Sequence, residues 1–265
     1  MGKRYGQHFL RSPAVLEAIA AGAEIGPGEP VLEIGPGEGA LTERLLTAGA
    51  DVAAVEIDPA LCVKLRERFA AVSRFRLIEA DVLQLDLSPQ HLFGSAGLYA
   101  VIANLPYYLT TPLLFRLIAE RRRLSRLVLM VQREIATRLV ASPRDGKDYG
   151  ALSVAAQHTF RMKRLLDVPP GAFRPPPKVD SAVVRFVPRE PQLPPAREAR
   201  FLAYVKAMFI HRRKLMLGNL KRGYGPLDGE RLAALERLIA GRRADALTPE
   251  EHLAVFELLH EGAGT

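Results

Sequence analysis

Five short apolar runs alternate with helix-like stretches in the first half of the chain, and this alternation limits the possible fold more than any other feature. The runs occupy residues 31–34, 52–55, 75–78, 101–103 and 127–131. Leucines at helical spacing follow the first run, and Pro59 stands where the first turn of a helix tolerates proline. Strand, helix and strand in succession build βαβ units. We therefore predict an α/β fold with a mostly parallel sheet.

The pattern changes after residue 131. Residues 153–160 and 181–187 have the composition of two further strands, joined by a proline-rich segment. Because no long helix separates them, they should pair antiparallel. The sheet is therefore expected to be mostly parallel and to end in an antiparallel hairpin.

A second change in composition marks the end of this region. Four prolines between residues 188 and 195 exclude a continuous helix and indicate a stiff linker. Beyond it, helical patterns cover residues 197–209, 213–221, 229–240 and 249–260. Thr248 and Glu251 have the spacing of a capping box at the start of the last helix. We predict two domains, an α/β domain over 1–188 and a small all-α domain over 189–265.

The basic residues are concentrated in two places. The chain has 37 Lys and Arg against 29 Asp and Glu, a net charge of +8. Eight arginines lie within residues 116–144, and residues 199–227 contain seven basic residues and no acidic one. Phosphate binding uses clustered Lys and Arg, although a solvated surface is the alternative for each cluster taken alone. Together the clusters favour a polyanionic partner such as a nucleic acid.

Several classes of protein are disfavoured by the composition. No apolar run approaches the roughly 20 residues that cross a membrane, and the N-terminus lacks the apolar stretch of a signal peptide. Cys62 is the only cysteine, and the six histidines show neither HxxxH nor HExxH spacing. We expect a cytoplasmic protein with no membrane segment, no disulfide and no metal site.

A glycine-rich turn, residues 35–40 (GPGEGA), joins the first strand to the first helix of the sheet. In a doubly wound sheet this loop borders the ligand, and glycines let the backbone approach it closely. Gly35, Gly37 and Ala40 satisfy a relaxed dinucleotide pattern, and Glu56 ends the next strand, where it can bind ribose hydroxyls. The turn alone leaves open NAD, S-adenosylmethionine and a purely structural connection.

Three further features favour S-adenosylmethionine. Glu38 is expected in the first helical turn, where its carboxylate would repel a pyrophosphate and attract a cationic ligand. Asp81 follows the third strand and can accept from an adenine amino group, unless it only caps a turn. Finally, the fourth strand leads directly into residues 104–107 (NLPY).

This NLPY motif suits the methylation of an adenine amine, which is a poor nucleophile because its lone pair is delocalised into the ring. The Asn104 side-chain oxygen and the Leu105 carbonyl can accept both N–H groups and turn the lone pair towards a methyl donor. Pro106 gives a rigid corner, and Tyr107 offers a flat surface on which a flipped base can stack. Because the amine is positioned and polarised in this way, methyl transfer does not need a strong base.

Taken together, these motifs closely resemble those of the ribosomal RNA adenine N6,N6-dimethyltransferase family. The resemblance covers about residues 3–187 and rests on residues 7–10 (QHFL), 33–39 (EIGPGEG), 56–58 (EID), 81, 104–107 (NLPY) and 173–181 (FRPPPKVDS). It implies a Rossmann-like class I methyltransferase fold with S-adenosylmethionine as cofactor. The last two motifs are similar to those of the small-subunit branch, which dimethylates two adjacent adenosines in the 3′-terminal hairpin of 16S rRNA. His8 departs from the pattern, because the family usually has Asn there.

The resemblance also implies roles for individual residues. The cofactor pocket is expected to be lined by His8, Leu10, Gly35, Glu56, Asp81 and Asn104. The target base is expected between Tyr107 and Phe173, the latter presented by a proline-stiffened loop unless it plugs the core. The arginine-rich segments, with Lys147 and Lys178, would contact RNA phosphates.

The expected partner is 16S rRNA in a small-subunit precursor, with the protein acting as a monomer in ribosome biogenesis. Three alternatives stay open from the sequence. They are methylation of large-subunit RNA or DNA, a binding factor that acts as an assembly checkpoint, and an NAD-dependent oxidoreductase, for which no hydride-transfer residues are visible.

Overall fold

A computed structural model of the protein describes residues 8–225 and 229–260. Gln7 of the first motif and Leu227 at the end of the second basic run lie outside the described residues. Backbone contacts divide the chain into two compact units. The first comprises residues up to 136 together with 161–188, and the second comprises 137–160 together with the residues from 189 onward.

The strands of the structure belong to the first unit, except that Phe160 at the start of β7 falls in the second. They are β1 (Phe9–Leu10), β2 (Pro30–Ile34), β3 (Asp51–Glu56), β4 (Phe75–Glu79), β5 (Tyr99–Asn104), β6 (Leu124–Gln132), β7 (Phe160–Val168), β8 (Phe173–Arg174) and β9 (Ser181–Pro188). Its helices are α1 (Pro13–Ala23), α2 (Ala40–Thr47), α3 (Pro59–Arg68), α4 (Pro89–Phe93) and α5 (Thr110–Ala119). Helix α6 (Arg133–Val140) crosses the division between the units.

Seven strands form one sheet in the order β4-β3-β2-β5-β6-β9-β7. The neighbours from β4 to β6 are parallel, β9 runs antiparallel to β6, and β7 lies beside β9 at the edge. Strands β1 and β8 form a separate antiparallel pair. All five predicted parallel strands are present, so the prediction of a Rossmann-like α/β sheet with an antiparallel end is confirmed.

The prediction of a strand over residues 153–160 is wrong. Residues 151–159 form helix α7 (Ala151–Thr159), and the strand beside β9 starts only at Phe160. A short apolar run does not by itself distinguish a buried strand from a buried helix. Here alanine favours the helix, and the Ser153 hydroxyl accepts from the Gly150 N–H (3.0 Å) at its first turn.

The second unit is helical and is built around aromatic side chains. After α7 its helices are α8 (Pro195–Ile210), α9 (Met216–Tyr224), α10 (Gly229–Ile239) and α11 (Pro249–His260). Phe201 packs edge-on against Phe256, with ring centroids 5.5 Å apart. The predicted capping box is confirmed, because Thr248 N–H donates to Glu251 (2.8 Å) and Glu251 N–H donates to the Thr248 hydroxyl (3.2 Å).

Residues 137–160 belong with these helices for two reasons. The Tyr149 hydroxyl donates to the Leu247 carbonyl (2.8 Å), and the His158 ring lies 4.5 Å from that of Phe201. The contacts therefore give a first unit that is discontinuous, whereas the composition predicts one continuous stretch over 1–188. The location of the second boundary, after residue 188, coincides with the expected linker.

The sheet places the predicted motifs at one edge. Strand β2 lies between β3 and β5, with Ile34 opposite Val55 on one side and Ala103 on the other. The carboxyl ends of parallel strands meet at the same edge, where α/β folds bind ligands. Among residues 8–225 and 229–260, no helix is long and apolar enough to span a membrane.

Candidate active site

A cleft lies at the carboxyl ends of strands β2 to β5 in the first unit. The structure brings every predicted site residue to its wall, namely His8, Leu10, Gly35, Glu56, Asp81, Asn104, Leu105, Tyr107 and Phe173. These residues come from separate stretches of sequence. The fold therefore assembles the cofactor and adenine motifs in one place, while the role of each residue stays a prediction.

The glycine turn forms one wall of the cleft with its backbone. The Gly35 N–H donates to the Val55 carbonyl (2.9 Å), which continues the pairing of β2 with β3. Gly37 has a φ of 60°, and a Cβ atom there would lie only 3.0 Å from the Phe9 ring. A side chain at this position would be strained and crowded. Glycine thus lets the loop pack closely against Phe9 of β1 at the wall of the cleft.

Glu56 is held rigidly at the end of β3, with only 4% of its surface exposed. Its Oε1 accepts from the N–H groups of Ile57 (2.9 Å) and Asp58 (3.0 Å), and its Oε2 accepts from that of Gly37 (3.2 Å). Burial raises the pKa of the Glu56 carboxyl, and the three N–H donors oppose this shift. Oε2 accepts one hydrogen bond and keeps the capacity for another, as a ribose hydroxyl would require.

Asp81 caps the turn after β4 and also borders the cleft, so the adenine contact stays a prediction. Its Oδ1 accepts from the Leu83 N–H (2.9 Å) and its Oδ2 from the Gln84 side chain (3.1 Å), so it shapes the turn after β4. The residue also lines the cleft. A carboxylate oxygen accepts up to two hydrogen bonds, so these contacts leave room for an adenine amino group.

The expectation for Glu38 is wrong. Glu38 precedes Gly39, the N-cap of α2, and so lies outside the first helical turn. Its carboxylate forms ion pairs with Arg11 and with Lys64 (3.8 Å). A carboxylate paired in this way adds little net negative charge to the cleft. Any preference of the cleft for a cationic ligand must therefore come from another acid.

Glu33 is a further acid of the cleft, and no role for it is predicted from the sequence. It is 1% exposed in β2, lines the cleft, and its Oε2 has no hydrogen-bond partner among the described residues. Burial raises the pKa of Glu33 to about 8, and the charge of Glu56 adds to this shift, while Thr42 opposes it. The available signal is a single acid inside the apolar run of residues 31–34 (VLEI). A buried carboxylate oxygen without a donor is costly unless a ligand satisfies it.

Asn104 ends β5 with its side chain fixed. Its Nδ2 donates to the backbone carbonyl of His8 (3.3 Å). A carbonyl can only accept, so this contact assigns the nitrogen to that side and leaves Oδ1 as an acceptor. The Leu105 N–H donates to the Met130 carbonyl (3.1 Å), which extends the pairing with β6 past the strand end. Both acceptors expected to polarise an amine thus sit on a rigid sheet edge.

Tyr107 opens a short 3₁₀ turn, Tyr107–Leu109, and is half-buried. Its hydroxyl lies 2.9 Å from the Ser181 hydroxyl, and burial raises the pKa of the phenol. The His8 ring is near it, with centroids 5.7 Å apart, and His8 Nδ1 lies 2.8 Å from the Pro175 carbonyl. His8 therefore lines the cleft beside the aromatic that is expected to stack on the base.

Phe173 is placed differently from the expectation of a ring presented by a loop. It lies in β8, opposite Leu10 of β1, and is 1% exposed within the hydrophobic core of the first unit. Pairing with β1 makes this residue part of a small sheet rather than a free loop. Its ring also lines the cleft, so contact with the target base stays a prediction.

Much of the first basic cluster serves the fold. Arg121 is buried, and Arg126 pairs with Glu29 (2.6 Å). Arg133 pairs with Asp180 (2.7 Å). The expectation that this cluster as a whole contacts RNA phosphates is therefore not supported for these side chains, because they are buried or already paired within the protein.

Arg116 also forms hydrogen bonds within the protein, and these bonds stabilise the turn after β4. Its guanidinium donates to the carbonyl of Val82 (2.6 Å) and to that of Leu85. Both carbonyls belong to the turn that begins at Asp81. Arg116 thus holds the Asp81 turn against helix α5.

The second basic run, in the helical unit, keeps exposed charges. Arg212 is internal, since it pairs with Asp245 (2.9 Å) and donates to the Gly146 carbonyl (2.6 Å). Arg213 and Lys214 lie in the turn before α9, and both are exposed. Other exposed basic side chains of this unit include Lys147, Lys221 and Arg222. These side chains are available to a phosphate backbone.

Comparison with known protein families gives a match along nearly the whole chain. Residues 1–261 match the family described as ribosomal RNA adenine dimethylase. A ribosomal RNA small subunit methyltransferase A of Thermosynechococcus vestitus is 46% identical over 265 residues, covering 98% of this chain and 97% of that protein. The protein of the same description from Geobacter sulfurreducens is 43% identical over 269 residues, covering 99% and 96%.

Solved structures agree with this result. A dimethyladenosine transferase from Plasmodium falciparum superimposes with a TM-score of 0.78 at 26% identity, covering 96% of this chain and 98% of that one. The 23S rRNA methyltransferase ErmE superimposes with a TM-score of 0.70 at 29% identity, covering 95% and 99%.

Proposed function

Because this chain belongs to the ribosomal RNA adenine dimethylase family, we propose that it dimethylates N6 of two adjacent adenosines in the 3′-terminal hairpin of 16S rRNA. The chain is an S-adenosylmethionine-dependent adenine dimethyltransferase of small-subunit rRNA, and the choice of nucleotides is the finer part of the proposal. Small-subunit relatives are 41–46% identical, whereas the large-subunit enzyme ErmE is 29% identical. This difference favours the small subunit.

One observation carries the chemistry: the side-chain amide of Asn104 is tied through Nδ2 to His8, at the mouth of a cleft that suits the cofactor. The free Oδ1, together with the Leu105 carbonyl, would accept the two N–H groups of the adenine amine. Accepting both turns the nitrogen lone pair out of conjugation and towards the methyl donor. The proton is lost once the amine has become cationic, so the site needs no strong base.

The residues of the cleft fit S-adenosylmethionine. The unpartnered oxygen of Glu33 suits the ammonium of a cationic ligand, and the free acceptor capacity on Glu56 Oε2 suits a ribose hydroxyl. Asp81 would accept from the adenine amino group, and the backbone at Gly35 would border the ligand. When bound, S-adenosylmethionine supplies the methyl group on a sulfonium sulfur. The segment of His8 and Leu10 would close the cleft from the side of β1.

For the target base, we assign stacking to Tyr107 and a flanking contact to Phe173. Tyr107 is half-buried at the cleft, as a stacking platform for an extruded base requires. The exposed charges of the second basic run would bind rRNA phosphates. A monomer in the cytoplasm and a part in subunit biogenesis complete the proposal, in line with the expectation from the sequence.

The test is methylation of small subunits whose 16S rRNA lacks dimethyladenosine, with large subunits and total DNA as competing substrates. Mass spectrometry of nuclease fragments should locate two adjacent dimethyladenosines in the 3′-terminal fragment of 16S rRNA. Modification of large-subunit RNA alone would overturn the substrate assignment. Tight binding to small subunits with no methyl transfer would favour an assembly factor instead.

The cofactor fit has a separate test. S-Adenosylmethionine should raise the melting temperature of the protein, and NAD at the same concentration should not, because ligands that bind only the folded state stabilise it. An equal shift with NAD would contradict the proposed residues of the cofactor cleft.

A further inference from the structure

The segment of residues 173–181 (FRPPPKVDS) makes two contacts at the end of the cleft where the target adenine is proposed to bind. The resemblance to the family assigns no role to either contact. The Pro175 carbonyl lies 2.8 Å from His8 Nδ1, and the Ser181 hydroxyl lies 2.9 Å from the Tyr107 hydroxyl. His8 and Tyr107 are themselves neighbours. One segment thus contacts both aromatic side chains at the base-binding end of the cleft.

Ser181 is an immobile anchor for Tyr107. It is fully buried, at 0% exposure, and begins β9 opposite Gln132 of β6. The preceding residue, Asp180, accepts from the Arg133 N–H (2.9 Å) through its carbonyl and from the Arg133 guanidinium (2.7 Å) through its carboxylate. The Ser181 hydroxyl is therefore fixed by the sheet and by a helix start. A hydrogen bond to it restricts the direction of the Tyr107 ring.

The His8 ring lies next to that of Tyr107. A base inserted between two aromatic rings needs about 7–8 Å between them, twice the usual contact distance of roughly 3.5–4.0 Å. The His8 and Tyr107 centroids are only 5.7 Å apart, with an interplanar angle of 33°. The gap between them is too narrow for an adenine. An adenine that stacks on Tyr107 must therefore lie outside this gap.

We propose that Ser181 is a positioning residue for methyl transfer, which acts through the Tyr107 hydroxyl to hold the phenol ring in one orientation for stacking on the target adenine. This inference rests on the proposed function, because it takes Tyr107 as the stacking platform. Ser181 itself does not touch the substrate. Its effect on the rate of methyl transfer must pass through the contact with Tyr107. A double-mutant cycle of the two residues can therefore test the proposal.

The experiment is a double-mutant cycle with Ser181→Ala, Tyr107→Phe and the double variant. Single-turnover methylation is measured with saturating S-adenosylmethionine on small subunits lacking the modification. Each single variant should lower the rate about 2- to 12-fold, the range for one neutral hydrogen bond, since Phe keeps the stacking face. The double variant should be no slower than Tyr107→Phe alone, because the two changes remove the same hydrogen bond.

Three further measurements separate positioning from a general loss of structure. Ser181→Thr, which keeps the hydroxyl, should recover most of the rate. Ser125→Ala serves as a matched control, because this serine of β6 lies 3.5 Å from Glu29 and outside the cleft lining. It should leave the rate unchanged. Melting temperature and S-adenosylmethionine affinity should be nearly the same for all variants.

Independent, multiplying losses from Ser181→Ala and Tyr107→Phe would overturn the proposal, as would an unchanged rate in Ser181→Ala. A loss in Ser181→Ala that is matched by loss of cofactor affinity or by unfolding would also overturn it, in favour of a structural role. If the wild-type protein modifies a different RNA, the proposed substrate fails, and the same cycle on that RNA still decides the role of Ser181.

Discussion

The side-chain amide of Asn104 donates to the backbone carbonyl of His8, a residue 96 positions earlier in the chain, over 3.3 Å. This hydrogen bond links the end of β5 to the N-terminal segment that borders the cofactor cleft. It fixes which end of the Asn104 amide faces inward, because a carbonyl accepts only from the nitrogen. The oxygen is then presented to a substrate amine without any reorganisation.

Replacing Asn104 by Ala should lower the single-turnover rate of methyl transfer by roughly 10²–10³, the loss seen when one positioned polar group is removed from an active site. Melting temperature should change little, because Asn104 is only partly buried at a strand end. The readout is mono- and dimethyladenosine in small-subunit RNA.

Asn104→Asp is the informative companion to Asn104→Ala. It keeps an inward acceptor but turns a carboxylate oxygen towards the His8 carbonyl, so the hydrogen bond cannot form and the side chain is free to rotate. We expect activity well below that of the wild type. A wild-type rate in Asn104→Ala would remove amine polarisation from the mechanism.

Glu56→Ala should weaken S-adenosylmethionine binding by about 1.5–3 kcal/mol, the value of a hydrogen bond to a charged group. It should also lower the melting temperature, because three backbone N–H groups lose their acceptor. Glu56→Gln keeps one oxygen acceptor and should retain more of both properties. Calorimetry that gave equal affinity for wild type and Glu56→Ala would exclude Glu56 from the ribose site.

Glu33 should make both stability and cofactor binding depend on pH. Its folded-state pKa of about 8 lies above the ordinary 4.5. Between these values the folded protein holds a proton that the unfolded chain has released. The free energy of unfolding should therefore fall as pH rises through this window, by an amount on the order of 5 kcal/mol. In Glu33→Gln this slope should be reduced.

A cationic ligand beside Glu33 would stabilise the carboxylate and expel its proton. At pH 7 the calorimetric enthalpy of S-adenosylmethionine binding should therefore depend on the ionisation enthalpy of the buffer, which measures proton release. Glu33→Gln should abolish this dependence, whereas Glu38→Gln, at an acid already paired with Arg11, should preserve it. Buffer-independent enthalpies in the wild type would mean that the ligand does not meet Glu33.

The parallel sheet and the positions of the site motifs could be predicted because both depend on local patterns. The apolar runs, the glycine turn and the strand-end residues Glu56 and Asn104 can each be recognised from a few consecutive residues. Residues 153–160 could not be assigned from their pattern, because a short buried apolar run is compatible with either helix or strand. The alanines and the contact of the Ser153 hydroxyl with the Gly150 N–H favour the helix here.

The pairing and burial of charged side chains are the properties that the sequence predicts least well. Glu38 and Arg116 are predicted to face a ligand or RNA, yet both are occupied by partners distant in sequence, Arg11 and the turn after Asp81. Glu33 is not predicted at all, because a lone acid in a strand has no motif of its own. Ion pairing and burial depend on the tertiary structure, so a sequence shows the charges but not their partners.

The exposed charges of the second basic run should govern the salt dependence of RNA binding. Arg213→Gln with Lys214→Gln should reduce the slope of log affinity against log salt by about 0.7–0.9 for each phosphate that is no longer neutralised. S-Adenosylmethionine affinity should not change. Arg212 is left in place because it pairs with Asp245.

The matched control for this pair is Arg161→Gln with Lys163→Gln, which removes the same charge from β7, where both side chains are exposed. Equal flattening in both pairs would indicate an effect of net charge alone. An unaltered slope in the Arg213 and Lys214 variant would assign these residues to a solvated surface.

Arg116 should affect the cofactor although it does not line the cleft. Its guanidinium donates to the Val82 and Leu85 carbonyls and so holds the turn that begins at Asp81. Arg116→Ala releases this turn, and S-adenosylmethionine affinity should fall several-fold, because Asp81 is then free to leave its position in the cleft wall, where we propose that it contacts the adenine. Arg123→Ala is the control: this arginine pairs with Glu120 (2.7 Å) at the surface, where such a pair contributes little to stability.

If Arg116 acts through Asp81, the loss of affinity caused by Asp81→Ala should be smaller when Arg116 is already replaced. Calorimetry on the two single variants and the double variant measures this coupling, and strictly additive losses would show that Arg116 supports the fold without positioning the adenine contact.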